Sequence, residues 1–305
     1  MVGLTDLQIE ERAKNIGASE VSAILGINQY ETPLDVWDRK TNPHGQVRLD
    51  NELLFWGSYL EAPIAERFSQ VTGKKLAEVE SAYFRGRVCS HIDRLVVDEG
   101  VPLEVKTQSS FKSVTWDGEA PDGYLIQVQT QLWCMKVEYG YICVLIGGNH
   151  MEWFRIDADP AIQAVIEEKT TYFWDEYVVK NCPPPPITYA DACKLFPVNK
   201  VDAKLATESS IEALKRYQSV NTQLKALNSE KEALRLQIVE SIGDHEGLMD
   251  SNGDLLATWK LTNPKPKVDP KLMLEHLTKD EIALSTIQPK GNRVLNLKSK
   301  NLNNH

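Results

Sequence analysis

Of its 305 residues the chain spends only five on cysteine, and Cys89, Cys134, Cys143, Cys182 and Cys193 are scattered and never form a CxxC pair. That odd, dispersed set excludes a disulfide framework, a zinc ribbon and an iron–sulfur cluster, and is read as buried or incidental thiols. Long apolar runs are missing too, none approaching the roughly 18 residues a membrane helix requires. The opening segment MVGLTDLQIEERAK lacks the basic-then-apolar order of a secretory leader. A cytoplasmic protein with no membrane partner is the expectation. Basic charge is in short supply: 34 Lys and Arg face 43 Asp and Glu, a net charge of −9. Such a balance argues against a nucleic-acid coat or a simple basic DNA-binding module. The deficit is local, because residues 1–187 carry 17 basic against 28 acidic side chains and residues 188–305 carry 17 against 15. Concentrated carboxylates can be an ordinary solvated surface, and they are also what a hard divalent cation needs.

What is present is a soluble globular composition, 42% hydrophobic, 25% charged and 8% aromatic. A short helix is expected after Gly17-Ala18-Ser19-Glu20, capped by Ser19 or a neighbour and ended by Gly26. A second helix follows Thr32-Pro33, and a third covers residues 51–72 with Gly57 and Pro63 as weak points. Extended runs are expected at 81–84, 90–97 and 102–107, a helix at 124–136, a strand pair at 139–146 and 151–156, and a helix at 160–179. This order implies an α/β fold, a mixed sheet flanked by helices. Trp37, Trp56, Trp133 and the aromatics from Tyr172 to Tyr177 fall at helical spacings and are assigned to the core.

Four consecutive prolines, Pro183 to Pro186, cannot continue a helix or a central strand, so a domain edge is placed at 187/188. Beyond it, residues 208–242 have a helical pattern with imperfect heptads, which favours an arm or hairpin over a long regular coiled coil. A β-hairpin is expected at 247–261, and residues 260–300 hold 9 Lys and Arg against 4 Asp and Glu. That basic tail is read as a solvated face, with duplex contact as the alternative.

The chemistry is concentrated in His91-Ile92-Asp93-Arg94 and Glu104-Val105-Lys106. Side chains alternate along a strand, so Glu104 and Lys106 share a face, and pairing the two strands brings the Asp93 carboxylate beside Glu104. Two carboxylates with an ammonium suit phosphodiester hydrolysis. Mg²⁺ is commonly held by one or two carboxylates, waters and the substrate phosphate, and a nearby ammonium offsets developing negative charge. Glu61, on the helix before the sheet, offers a third carboxylate.

An ExK triplet alone is weak, but an Asp about ten residues earlier makes the pattern resemble the PD-(D/E)xK nucleases, with His91-Ile92 in place of the leading Pro. Arg12, Ile16-Gly17-Ala18-Ser19-Glu20-Val21, Leu25-Gly26-Ile27, Tyr30-Glu31-Thr32-Pro33-Leu34 with Trp37, Gly57 with Leu60-Glu61, and Tyr124 with Gln127 to Leu132 occur in one order. Together they resemble the YqaJ-type viral recombinase family, which includes phage lambda exonuclease, over roughly residues 10–180. The resemblance implies a restriction-endonuclease-like fold in a phage- or prophage-encoded protein of the bacterial cytoplasm. It implies a Mg²⁺-dependent exonuclease, with Mn²⁺ able to substitute, that acts 5′ to 3′ on linear duplex ends. The 3′ strand is left for a single-strand annealing protein, and the enzyme forms a homo-oligomeric ring, often a trimer. Position by position, Asp93 and Glu104 match the metal ligands, Glu61 the helix carboxylate near the metal, Lys106 the catalytic lysine and Gln127 a glutamine facing the site. Arg12 and Ser19 match a pocket for the 5′ phosphate, a reasonable anion site for a guanidinium fork and a hydroxyl at a helix start. His91, Tyr124 and Gln131 are candidate DNA contacts. A nicking or structure-specific endonuclease of the same fold and a non-catalytic DNA-binding or inhibitor module are the alternatives.

Overall fold

A computed structural model describes residues 14–42, 52–110, 116, 118–199, 203–262, 269, 273 and 276–286. Arg12 and most of the basic tail lie outside these residues. The chain forms two compact units, Met1–Leu195 and Phe196–His305.

The first unit begins with strand β1 (Ile16–Gly17), a 3₁₀ turn (Ala18–Glu20) and helix α1 (Val21–Ile24), followed by α2 (Pro33–Thr41) and α3 (Glu52–Thr72). Ser19 lies inside the turn, and the Glu20 carboxylate reaches back to accept the Gly17 N–H at 2.7 Å. Thr32 caps α2 by accepting the Asp35 N–H, and Pro33 occupies the first turn, where its missing donor costs nothing. Helix α3 runs unbroken through Gly57 and Pro63.

Strands β2 (Leu76–Ala77), β3 (Tyr83–Arg85), β4 (Val88–Ser90), β5 (Arg94–Val96) and β6 (Val101–Gln108) come next. The single extended run expected at 90–97 is two strands in two different sheets. β4 joins β1 and β3, whereas β5 joins a five-stranded sheet ordered β2-β5-β6-β7-β8. Asp93 therefore sits at the crossing between sheets, just before β5, and is not within a strand. Helix α4 (Asp122–Met135) then leads to β7 (Tyr139–Ile146) and β8 (His150–Asp157). Because β6 and β7 are parallel, their connection must cross from one end of the sheet to the other, and α4 makes that crossing. Alternation settles which face α4 covers. Leu103, Val105, Tyr141 and Cys143 pack with Phe68 of α3, while Ile142 and Val144 pack with Val128 and Leu132 of α4. Glu104 and Lys106, out of phase with Leu103 and Val105, are left on the α4 face. Gly140 is needed here, since a Cβ on it would fall 2.9 Å from both Leu132 and Pro102 side chains.

Helix α5 (Pro160–Phe173) passes into a π-helical turn (Trp174–Val178), and after the prolines α6 (Tyr189–Leu195) returns to α2. There the buried Asp191 accepts the Thr32 hydroxyl at 2.9 Å, and Lys194 pairs with Asp35, so this unit reaches past the proline run. Trp133 and Phe173 are core and Trp37 is partly buried, but Trp56 and Tyr172 are 49% and 55% exposed, contrary to expectation.

In the second unit α7 (Glu208–Ile242) is one continuous helix of 35 residues, capped by Thr207 and stopped at Gly243. Its C-terminal end packs on the hairpin β9 (Gly247–Met249) and β10 (Leu255–Thr258), and α8 (Lys279–Ser285) follows. Among the described residues, no helix is long and apolar enough to cross a membrane.

Candidate active site

Arg94 of β5 faces Leu103 of β6, so the residue before Arg94 comes level with Glu104 and Val105. Asp93 uses that position to accept the Val105 N–H through Oδ2 at 2.7 Å, which fixes its carboxylate over the middle of β6. Glu104, only 2% exposed, lies beside it. One oxygen of Glu104 accepts from Lys106 Nζ and Gln127 Nε2, each at 2.5 Å, and the other accepts from Gln131 Nε2 at 2.5 Å. One turn of α4 separates the two glutamines, so both project onto the same carboxylate. The Tyr124 ring lies 5.3 Å from Lys106 Nζ and stacks on Trp116.

Burial, then the neighbouring charge of Glu104, and to a lesser degree that of Glu61, push the Asp93 carboxyl well above the usual carboxylate range, against the pull of Lys106. Burial opposes the charge on Lys106, but the Glu104 and Asp93 carboxylates outweigh it and hold the ammonium above its ordinary value. A fixed cation thus faces two crowded acids at the sheet crossing.

Glu61 on α3 reaches the same region, but its Oε1 accepts a hydrogen bond from Arg94 Nη1 at 2.6 Å. Among the described residues no group of three or more His, Cys, Asp or Glu side chains is arranged to hold a metal ion. The three acids expected to converge are thus two adjoining carboxylates with Glu61 engaged by Arg94. Two carboxylates still suit Mg²⁺, which keeps waters and takes substrate oxygens for its remaining positions.

Gln131 has no exposed surface, so its place is behind Glu104, not on DNA. His91 is half-buried, and its carbonyl lies 3.5 Å from Gln131 Nε2. Ser19 is half-buried in the turn after β1, and its expected companion Arg12 is outside the described residues.

Sequence patterns missed two features. Glu20 is a buried anion that meets Lys40 Nζ at 2.6 Å and Arg39 Nε at 3.1 Å, and Arg39 also grips Glu31 with two hydrogen bonds. Burial, partly offset by Glu20, pulls the Lys40 ammonium down. This network ties the Ser19 turn to α2, and ion pairs about 20 residues apart leave no periodic trace. The second is a surface cluster at the start of α3, where Phe55, Trp56 and Tyr59 touch one another with ring centroids 5.4–5.8 Å apart and all are exposed.

The YqaJ-like viral recombinase domain matches residues 9–138. The uncharacterized protein YqaJ of Bacillus subtilis (strain 168) is 30% identical over 264 residues, covering 82% of this chain and 81% of YqaJ. Among solved structures, an alkaline exonuclease, LHK-Exo, from Laribacter hongkongensis superposes with a TM-score of 0.48 at 20% identity, covering 63% of this chain and 100% of that one. A phage-related exonuclease from Haemophilus somnus 129PT gives 0.43 at 13% identity, over 56% of this chain and 99% of its own. The domain match takes in Asp93, Glu104, Lys106 and both glutamines, and with YqaJ aligned over four-fifths of each sequence, the chain belongs to the YqaJ-like viral recombinase family.

Proposed function

We propose that the protein is a Mg²⁺-dependent deoxyribonuclease that degrades linear duplex DNA from its ends, 5′ to 3′, in phage-type recombination. The observation that carries this reading is the Glu104 carboxylate, set beside Asp93 and fixed by Lys106, Gln127 and Gln131. Asp93 and Glu104 would hold the metal, with Glu61 as a further carboxylate at its margin. Bound Mg²⁺, or Mn²⁺ in its place, supplies a Lewis acid for the phosphate and lowers the pKa of water. Lys106, kept protonated by its two acids, stabilises the negative charge that builds on the phosphate and can give a proton to the leaving oxygen. Gln127 keeps Glu104 in one orientation, and Tyr124 supports the ammonium from the other side. The exposed rings of Phe55, Trp56 and Tyr59 precede Glu61 on the same helix and offer faces on which unpaired bases stack.

A homo-oligomeric ring fits an acidic chain that handles DNA, because only the channel lining must be basic. A single-strand annealing protein is the natural recipient of the 3′ strand, and a cytoplasmic, phage-encoded protein fits both. A nicking or structure-specific endonuclease is the competing reading, and DNA topology separates the two. With Mg²⁺, linear duplex should be consumed while closed circular duplex survives, and EDTA should stop the reaction. Loss of the closed circle at a comparable rate would establish an endonuclease instead. If Ser19 and Arg12 receive the terminal phosphate, 5′-phosphorylated ends should be degraded faster than 5′-hydroxyl ends, and equal rates would remove that pocket from the account.

A further inference from the structure

A lysine ammonium stands on a flexible four-carbon stem, so a Lys that must meet a phosphate at one point needs more than one restraint. Glu104 supplies the first by accepting from Lys106 Nζ. The second is the Tyr124 ring, whose centroid lies 5.3 Å from Nζ and whose face attracts a cation. Tyr124 is itself only half-buried in the first turn of α4, so its ring is held by what it packs on. That support is Trp116, from the connection between β6 and α4, which stacks on Tyr124 with centroids 5.5 Å apart and planes 20° apart. A third ring continues the stack, since Phe154 of β8 lies 5.8 Å from Trp116 at 17°. Trp116 is 6% exposed, and its Nε1 has no hydrogen-bond partner among the described residues, so stacking and apolar packing are what seat it.

The far end of the stack is tied to the site as well. Strand register sets Glu104, Ile142 and Phe154 side by side across β6, β7 and β8, and Ile142, Phe154, Trp116 and Tyr124 share one apolar cluster. The rings therefore start on the crosswise row that holds Glu104 and return through Trp116 and Tyr124 to Lys106. We propose that Trp116 is a positioning residue for hydrolysis, seating the Tyr124 ring and through it the Lys106 ammonium beside Glu104. The role in hydrolysis rests on the nuclease reading, whereas the seating of Lys106 does not.

Two measurements on the full-length chain separate these. In EDTA, the rate at which an amine acetylating reagent modifies Lys106 is followed by mass spectrometry. Trp116→Met, which fills the space without a ring face, should raise that rate several-fold with far-ultraviolet circular dichroism unchanged, and Trp116→Phe should return most of the protection. Phe154→Met, at the half-buried end of the stack, should raise it less and decides the matter if Trp116→Met does not fold. With Mg²⁺ and linear duplex, Trp116→Met should lower kcat roughly 10–100-fold with little change in KM, and Trp116→Phe should recover most of it. If Trp116 acts through Tyr124, adding Trp116→Met to Tyr124→Leu should change neither readout by more than about twofold. Unchanged Lys106 reactivity in folded Trp116→Met and Phe154→Met proteins would overturn the proposal, as would fully additive losses in the double variant. A wild-type protein that leaves DNA intact would instead refute the nuclease reading, with the acetylation rates still deciding whether Trp116 seats Lys106.

Discussion

Glu104 is the most constrained acid of the site, buried on a central strand with every carboxylate contact supplied by a neighbour on β6 or α4. Asp93 is crowded by it, and this sets a stability cost that can be measured. A carboxyl whose folded pKa is raised destabilises the fold most once ionised, and the cost fades as pH falls towards the ordinary carboxylate range, where folded and unfolded forms are both protonated. Asp93→Asn keeps an oxygen for the Val105 N–H and removes the charge. In EDTA it should raise the Tm at neutral pH, by a gain that shrinks as pH is lowered, while nuclease activity is lost. A lower Tm at neutral pH would contradict the charge crowding. The Asp93, Glu104 and Lys106 grouping was legible in the sequence because strand alternation and a short hairpin leave few ways to arrange it. The burial of Gln131 was not, because helical spacing reports a face but not what covers it.

At the scale of elements, α4 is both the covalent crossover between two parallel strands and the source of Gln127 and Gln131, so its packing on the sheet sets the site's geometry. Gly140 controls that packing, since its missing Cβ leaves room for Leu132 of α4 and Pro102 of β6. Gly140→Ala should destabilise the fold by about 1–3 kcal/mol through overpacking, read as a lower denaturation midpoint with an unchanged slope. An unchanged midpoint would show that α4 can shift freely. Most elements were visible as periodic apolar runs. The division of residues 88–96 between two sheets was not, because Ile92 between the polar His91 and Asp93 mimics the alternation of one continuous strand. The surface position of Trp56 was hidden for a related reason: an aromatic stripe has the same spacing whether a sheet or solvent lies beyond it.

Across the whole molecule, the chain combines a unit that carries the carboxylate–ammonium site with a second built on a 35-residue helix and a small hairpin. The change of composition at Pro183 to Pro186 signalled two parts, but not that α6 would pack back on α2 through Asp191, because contacts between residues about 160 apart leave no local signature. The proposed chemistry stands on the first unit, and the measurement that tests it most directly is the initial rate of nucleotide release from linear duplex DNA at saturating Mg²⁺. Wild type should digest the duplex, Gln127→Ala should be slower by about 10–100-fold because Glu104 loses one of its orienting bonds, and Lys106→Met should be slower by roughly a thousandfold or more, as expected when an electrostatic stabiliser of the transition state is removed. A Lys106→Met protein that is folded and digests linear DNA at the wild-type rate would contradict the account.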